Sequence, residues 1–326
     1  AALEAPFVLP SGQEVYLTVS IGLALAGDHQ TGDGWLRDAD AAMYRAKERG
    51  RNRLELFDTD MRHAAMVRLQ VEHDLRRAVT NGELVSHYQP VIDLPTGAIR
   101  GLEALVRWQH PVRGLLSPGD FIAIAEDTGA ITEIGAHILD LAVAGVSQVQ
   151  HLTGGRPLQL AVNVSGRQLG ANDLDRTVAD VCAAHGWPHE QLVLEITETA
   201  IAQGPDGPIE VLDRIHDLGV GLAIDDFGTG YSSLTRLGAM PVGQVKIDQS
   251  FVAAIDNDDD RRVRIVDAVV AIAGALGLQT TAEGVESQAQ LDYLRRIHCE
   301  RAQGYLFAKP LPLDELAALL ESDPRW

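Results

Sequence analysis

Residues 221–230 read Gly-Leu-Ala-Ile-Asp-Asp-Phe-Gly-Thr-Gly, a short apolar run that ends in two carboxylates and two glycines. Successive side chains of a strand point to opposite faces, so Leu222 and Ile224 lie on one face and Asp225 on the other. Asp225 and Asp226 serve one site only if the chain turns at this point, and the glycines that follow permit such a turn. The stretch predicts a strand that delivers two carboxylates to a site at its carboxyl end.

The same arrangement recurs along the chain, because acidic or amide side chains repeatedly follow short apolar runs, where a strand would end. These side chains are Glu103, Asn163, Glu195, Asp225, Asp226, Glu283 and Gln303. Scattered surface carboxylates would fall at any phase of the apolar pattern. The regular position predicts that these groups gather at one site.

From residue 81 to 326 the sequence alternates between strand and helix patterns. The candidate strands are Ser86 to Ile92, Ile99 to Trp108, Pro157 to Val164, Gln191 to Thr197, Gly221 to Asp226, Gly243 to Asp248, Leu278 to Glu283 and Ala302 to Leu306. The helical patterns include Ala136 to Val149, Leu174 to His185, Pro208 to Leu218, Arg261 to Leu276 and Ser287 to Ile297. Eight strands with intervening helices over about 240 residues predict an α/β fold, a (β/α)8 TIM-like barrel. A doubly wound open sheet is the alternative.

Strand parity places the candidate site inside this barrel. Val245 and Ile247 share an apolar face, and Lys246 lies on the opposite one. If the apolar faces pack on outer helices, one set of polar side chains points into the barrel near its C-terminal mouth, where barrel enzymes keep their active sites. That set is Glu103, Asn163, Glu195, Asp225, Lys246 and Glu283.

Oxygen ligands of this kind suit hard divalent cations such as Mg2+ and Mn2+, and no His or Cys has the spacing of a zinc site. The set supplies enough oxygens for two cations roughly 3.5 to 4 Å apart, with Asp225 as the bridge and Asp226 on the second cation. Lys246 is placed to steady an attacking water, or else forms a structural ion pair. Arg107 has the same strand parity as Glu103, and its planar guanidinium is suited to bind a phosphate. The alternative is that it forms a surface salt bridge.

Composition limits the possible functions. The chain has 326 residues, 46% hydrophobic and 22% charged, which is typical of a globular protein. A formal net charge of -19 argues against binding of DNA, RNA or an anionic membrane surface. The longest apolar stretch, Val266 to Leu278, is too short to span a bilayer. We expect a cytoplasmic protein, or the cytosolic part of a longer sensor, with Cys182 and Cys299 as reduced buried thiols.

The patterns predict three segments. Residues 1–58 form a small α+β unit with a hairpin (5–9 and 15–24), a helix (35–49) and a short strand (53–57). Residues 59–80 form a helical linker, and residues 81–326 form the barrel.

The motifs of the barrel resemble, in the same order, those of EAL-domain cyclic di-GMP phosphodiesterases. The matching stretches are Glu103 to Trp108, Asn163 to Ser165, Glu195 to Glu198, Asp225 to Gly230, Lys246 to Asp248, Glu283 to Glu286 and Gln303 to Tyr305. The resemblance runs from about residue 66 to the C-terminus. It implies a barrel with one reversed strand and hydrolysis of cyclic di-GMP to linear pGpG with two Mg2+ or Mn2+ ions.

The resemblance also implies a role for each residue. Metal ligands would be Glu103, Asn163, Glu195, Asp225, Asp226 and Glu283, while Lys246 would position the water, and Arg107, Gln303 and Gln89 would contact substrate. Glu198 would anchor the loop from Asp226 to Ser233 and thereby aid catalysis, and Glu286 would support it. The family likeness also implies a homodimer formed through the barrel.

The first residues resemble the end of a GGDEF diguanylate cyclase domain. The likeness rests on Val19 to Gly22, Ala39 to Lys47 and Gly50 to Arg53, whereas the Gly-Gly-Asp-Glu-Phe signature is absent. We therefore expect that this unit neither binds GTP nor makes cyclic di-GMP.

Two other functions fit parts of the pattern. One is a non-catalytic cyclic di-GMP receptor built on the same barrel. The complete set of metal ligands argues against this function. The other is a lyase that uses Lys246 as a Schiff-base amine, although acidic neighbours would hold that amine protonated.

Overall fold

A computed structural model describes the chain except residues 1–6, 12–13, 26–30, 172, 203–206, 230–236, 239 and 258–259. The chain divides into two compact units, Ala1–Asp74 and Leu75–Trp326. The segment boundaries at 58 and 80 that the sequence patterns indicate remain a prediction.

The smaller unit combines short strands with helices. Its elements are β1 (Phe7–Val8), β2 (Glu14–Val15), β3 (Ile21–Leu23), α1 (Gly32–Glu48), β4 (Leu54–Leu56) and α2 (Thr59–Ala78), the last of which ends beyond residue 74. The single strand predicted over 15–24 is wrong, because this segment contains two separate strands. β2 pairs antiparallel with β1, whereas β3 pairs parallel with β4. Gly22 allows β3 to contact α1, since a Cβ there would lie 1.9 Å from the Ala39 carbonyl oxygen.

The larger unit is built on a closed sheet. Its strands are β5 (Leu84–Asp93), β6 (Ala98–His110), β7 (Gly114–Leu116), β8 (Gln159–Val164), β9 (Leu192–Thr197), β10 (Gly221–Phe227), β11 (Gln244–Ile247), β12 (Gln279–Ala282) and β13 (Arg301–Ala302). The order β5-β13-β12-β11-β10-β9-β8-β6 closes on itself through β5 and β6, and β7 extends β6 as a hairpin. Closure confirms the barrel and rules out the open sheet.

One strand of the barrel is reversed, as the family resemblance implies. β5 runs antiparallel to both of its neighbours, β6 and β13, whereas the other adjacent barrel strands are parallel. Seven strands therefore end at one mouth of the barrel. The first residues of β5 lie at the same mouth, since Leu84 pairs with Trp108 near the end of β6.

Helices surround the strands. They are α3 (Ile122–Thr128), α4 (Ile131–Val149), α5 (Gly166–Leu169), α6 (Leu174–His185), α7 (Glu198–Ala202), α8 (Gly207–Asp217), α9 (Gln249–Val252), α10 (Asp260–Leu276), α11 (Gln288–Arg296) and α12 (Leu313–Ser322). Alternate strand residues such as Leu160 and Ile224 share one buried core with helix residues such as Val143 and Leu212. The apolar strand face thus packs outward on the helices, and the other face lines the barrel interior.

The last predicted strand, Ala302 to Leu306, is wrong beyond Ala302. The chain turns instead, because the Leu306 N–H donates to the Val285 carbonyl oxygen, and the Val285 N–H donates to that of Gln303. Gly304 lies so close to Val285 that a Cβ would approach its backbone to 2.1 Å. The turn therefore depends on glycine at this position.

Two expectations from composition can be compared with the structure. Cys182 and Cys299 are free and buried, as predicted. Within the described parts of the chain, no helix combines the length and apolar character needed to cross a membrane.

Candidate metal centre

Lys246 lies at the centre of the predicted site, buried on the inner face of β11. Its Nζ lies 2.6 Å from Glu195 Oε2, 2.7 Å from Glu283 Oε1, 3.3 Å from Asp225 Oδ1 and 3.5 Å from Glu103 Oε2. These carboxylates come from different strands: Glu103 lies in the middle of β6, Glu195 and Asp225 lie in the second halves of β9 and β10, and Glu283 follows β12. The structure thus gathers side chains that are up to 180 residues apart in sequence into one cluster.

Glu103 joins the cluster to an amide network. Its Oε1 accepts a hydrogen bond from Asn163 Nδ2 at 2.7 Å, and its Oε2 accepts one from Gln303 Nε2 at 2.5 Å. The same Gln303 nitrogen donates to Gln89 Oε1 at 2.9 Å, and Gln89 in turn donates to the Ala308 carbonyl oxygen. Gln303 Oε1 is buried and has no partner in the described structure, so it offers an acceptor to a bound ligand.

A turn at the end of β10 brings Asp225 and Asp226 to the same site. Asp226 has a left-handed backbone with φ of 54°, and its N–H donates to Asp225 Oδ1 at 3.0 Å. Oxygen atoms of Asp225, Asp226 and Glu283 all lie within 4.8 Å of one another. The two neighbouring carboxylates therefore face one site, as the sequence required, although an ordinary strand would separate them.

Charge in the cluster is unbalanced. Burial, reinforced by the charge of Glu103, raises the pKa of Glu195 well above its usual value, and burial raises the pKa of Glu283 to about 8. Burial alone would lower the pKa of Lys246, but its carboxylate neighbours raise it well above the ordinary lysine value. Burial would likewise raise the pKa of Glu103, yet Lys246 and the Gln303 amide lower it.

A divalent cation fits this arrangement of donors. Glu103, Glu195, Asp225, Asp226 and Glu283 share one ammonium group, that of Lys246, which leaves a formal surplus of four negative charges. Carboxylates at such short separations repel one another and take up protons unless a cation lies between them. Oxygen donors alone favour Mg2+ or Mn2+ over zinc.

Asp248 is a carboxylate of this site that the sequence reasoning missed. Burial, Asp225 and Asp248 together raise the pKa of Asp226 to about 6, and the Asp226 and Asp248 side chains are hydrogen-bonded. Asp248 Oδ1 also caps α9 by accepting the Ser250 N–H at 3.0 Å. The signal was present, because Asp248 has the same strand parity as Lys246 and follows the last residue of β11.

Glu198 and Glu286 were predicted to support the loop after β10. Glu198 is buried, and its Oε2 accepts the Gly228 N–H at 3.3 Å, directly after Asp226 and Phe227. The side chain of Glu286 is exposed, while its backbone N–H donates to Gln290 Oε1. Residues 230–236 of the loop lie outside the described residues, and both supporting roles remain predictions.

Arg107 lies on β6 beyond Glu103, towards the mouth. It is half-buried, and its Nη1 donates to the Val106 carbonyl oxygen at 2.8 Å. Partial burial lowers the pKa of Arg107, whereas Tyr305 and Glu103 nearby oppose that shift. The guanidinium therefore stands beside the carboxylate cluster without belonging to its network of ion pairs.

A cavity of about 360 Å3 lies outside the barrel, between strands β8 and β9 and the helices that cover them. Its walls include Asn163, the first turns of α4 and α6, and the buried side chain of Gln168. Among the predicted site residues, Asn163 is the one that borders this cavity.

Comparison with known families agrees with this geometry. The sequence model of the EAL domain matches residues 72–310, well over half of the chain. The chain belongs to the EAL domain family. The model described as diguanylate cyclase, GGDEF domain, matches residues 2–53 ahead of the EAL domain.

Several curated relatives of this EAL protein carry descriptive names. The bifunctional diguanylate cyclase/cyclic di-GMP phosphodiesterase MucR of Pseudomonas aeruginosa is 41% identical over 310 residues, which cover 94% of this chain and 45% of MucR. The cyclic di-GMP phosphodiesterase PdeR of Escherichia coli is 39% identical over 300 residues, which cover 92% of this chain and 45% of PdeR. The chain therefore spans less than half the length of these relatives.

Solved structures give the same fold for the EAL domain. The phosphodiesterase of P. aeruginosa MucR in complex with c-di-GMP matches with a TM-score of 0.72 and 40% identity, over 76% of this chain and 99% of that one. The FimX EAL domain of Xanthomonas citri, at 22% identity and a TM-score of 0.68, covers 77% of this chain and 97% of its own, and shows the shared fold alone.

Proposed function

We propose that this EAL domain hydrolyses cyclic di-GMP to linear pGpG with two divalent cations, Mg2+ or Mn2+. The observation that carries the proposal is the cluster around Lys246, whose surplus of carboxylates opens to the barrel mouth. Support also comes from the 40% identity to a phosphodiesterase that was solved with c-di-GMP. In such a reaction water adds to one phosphorus atom, and the 3′ oxygen leaves with a proton.

The cations would be held by Glu103, Asn163, Glu195, Asp225, Asp226 and Glu283, with Asp248 beside Asp226. Two divalent cations would balance the four negative charges by which Glu103, Glu195, Asp225, Asp226 and Glu283 exceed Lys246, and Asp248 adds one further carboxylate. When bound, such a pair of cations lowers the pKa of water and stabilises charge on the attacking and leaving oxygens.

The remaining residues would bind and orient the reactants. Lys246 would donate a hydrogen bond to the attacking water, and the planar fork of Arg107 would hold a phosphate of the substrate. The unpaired Gln303 Oε1 would accept a hydrogen bond from the nucleotide, with Gln89 fixing the amide orientation.

The test is incubation of the purified chain with cyclic di-GMP and Mn2+ or Mg2+, followed by chromatography of the nucleotides. We expect pGpG to accumulate in the presence of either cation and none to form in EDTA. If cyclic di-GMP bound to the protein but no pGpG formed, the domain would be a receptor and the enzymatic proposal would be wrong.

Replacing Glu198 with alanine is expected to reduce turnover without abolishing it. The substitution removes the acceptor of the Gly228 N–H and loosens the turn that places Asp226. We expect kcat to fall by roughly tenfold to a hundredfold, as for residues that orient metal ligands, and the concentration of Mn2+ needed for half-maximal activity to rise. Glu321→Ala, on the exposed surface of α12, serves as control. An unchanged Mn2+ requirement in Glu198→Ala would contradict the anchoring role.

The proposal includes the oligomeric state and the activity of the small unit. We propose that two barrels pair into a homodimer, which light scattering would detect; a protein that is active as a monomer would contradict this. The small unit lacks the Gly-Gly-Asp-Glu-Phe signature, so we propose that it makes no cyclic di-GMP from GTP.

A further inference from the structure

Four parallel strands begin with a polar residue at the amino-terminal end of the barrel, which lies opposite the metal centre. The strands β8, β11, β12 and β13 begin with Gln159, Gln244, Gln279 and Arg301. Each residue lies an even number of positions before a candidate site residue along the same strand, so its side chain has the same inward parity. This end of the barrel interior therefore carries amides and a guanidinium, where barrels ordinarily have bulky branched side chains.

The side chain of Arg301 reaches across the barrel interior. Its Nη1 donates to Gln159 Oε1 at 2.5 Å, although β5 and β6 lie between β13 and β8 in the closed sheet. Two glycines with inward parity leave space at this end, since Gly101 pairs with Gln159 and Gly221 begins β10. The guanidinium therefore lies inside the barrel rather than on its outer surface.

This guanidinium is buried without a carboxylate partner. Arg301 is only 8% exposed, and among the described residues no carboxylate oxygen lies within 4 Å of its nitrogen atoms. The hydrogen bond to Gln159 leaves most of its N–H donors unused. Buried charges in proteins are ordinarily paired, because an unpaired one is costly. The arrangement indicates an anionic partner that comes from solution.

The charged groups around Arg301 do not supply that partner. Burial lowers the pKa of Arg301, and the charge of Arg100 lowers it further, whereas Glu300 and Asp93 oppose the shift. These two carboxylates already accept backbone N–H groups, at 2.7 Å for Glu300 and 3.1 Å for Asp93. The exposed Arg100 brings a second positive charge to this end of the barrel.

Amide side chains add further donors. Gln244 and Gln279 are register partners on β11 and β12 and are half-buried, and their side-chain amides make no hydrogen bond with a described residue. An amide nitrogen donates to an anionic oxygen as readily as to a carbonyl oxygen. The planar fork of a guanidinium matches two oxygens of a phosphate or a carboxylate. Together these groups suit a small oxyanion.

We propose that the amino-terminal end of the barrel binds a small oxyanion, in bidentate contact with Arg301 and within reach of the amides of Gln244 and Gln279. The bound anion neutralises the buried guanidinium and thereby stabilises the folded barrel. Because this site lies at the opposite end from the metal centre, the inference is independent of the proposed function.

The test measures anion binding and thermal unfolding of the whole chain in EDTA, so that no divalent cation holds phosphate at the carboxylate cluster. Calorimetry with inorganic phosphate gives Kd, and the unfolding midpoint is compared in phosphate, sulfate, acetate and chloride at equal ionic strength. We expect phosphate to raise the midpoint of the wild type above its value in chloride, because an anion that binds the folded state stabilises it. A larger effect of acetate would instead assign the site to carboxylates.

Arg301→Met is expected to weaken binding of the preferred anion by about tenfold to a hundredfold, in line with the loss of a hydrogen bond to a charged group. If this variant does not fold, Arg301→Lys keeps the charge but loses the planar fork, and should still bind the anion more weakly than the wild type.

Arg107→Met serves as matched control, because it removes the guanidinium that is predicted to bind phosphate at the other end of the barrel. It should respond to the anions like the wild type. Absence of binding of all three oxyanions to the wild type would overturn the proposal. Equal stabilisation of Arg301→Met and the wild type, as a general salt effect would give, would overturn it too. Loss of the response in Arg107→Met alone would place the anion at the mouth and contradict the assignment to Arg301.

Discussion

Replacing Glu103 with alanine is expected to abolish hydrolysis of cyclic di-GMP. Glu103 contacts Lys246, Asn163 and Gln303 at once, so its loss removes one predicted metal ligand and leaves the side-chain amides of Asn163 and Gln303 without this acceptor. We expect kcat to fall by on the order of 10³-fold or more, since electrostatic groups at the reacting centre typically contribute this much. The measurement is pGpG formation over a range of Mn2+ concentrations.

A matched control is Glu190→Ala, an exposed glutamate just before β9, at the opposite end of the barrel from the mouth. It changes the net charge of the chain by the same amount, and we expect full activity. The second readout is cation binding by calorimetry, which should weaken in Glu103→Ala alone. Full activity of Glu103→Ala would show that the metal assignment is wrong.

The period of two in the strands explains why much of this site was predictable. Lys246, Glu195 and Asp225 each alternate with apolar neighbours that pack outward in the common core. Because helices cover the outer face of the closed sheet, the polar side chains on the other strand face point into the barrel. Sequence pattern therefore predicted the members of the cluster, although no pattern gave the distances between them.

Other features depended on contacts that no local pattern encodes. The turn at Gly304 replaces a predicted strand because Val285 supplies both a donor and an acceptor from another part of the chain. Asp248 lies within the predicted strand Gly243 to Asp248 but was not assigned to the site, and its partner Asp226 owes its position to a left-handed backbone. Gln89 came from family resemblance, and its link to Gln303 is visible only in the fold.

Replacing Lys246 with methionine is expected to destabilise the cation-free protein strongly. Methionine fills much of the same volume but carries no charge. The four carboxylates that contact the ammonium group in the wild type would therefore lose their counter-charge. Removing one partner of a buried ion pair typically costs about 3 to 5 kcal/mol, and Lys246 is only 2% exposed. We expect the free energy of unfolding in EDTA, measured by urea denaturation, to fall by roughly this amount.

Divalent cations should restore much of this stability, because they supply positive charge at the same oxygens. Binding to the folded state stabilises it by about 2.7 kcal/mol at a hundredfold excess over Kd. The difference in unfolding free energy between Mg2+ and EDTA should therefore be larger for Lys246→Met than for the wild type. Lys309→Met, an exposed lysine, should unfold like the wild type in both conditions. A variant that is equally unstable with and without Mg2+ would mean that Lys246 balances the carboxylates in a way that no cation at this site can replace. If Mg2+ restored the stability of Lys246→Met but not its turnover, Lys246 would have two distinct roles: its charge stabilises the fold, and its ammonium group acts beside the attacking water.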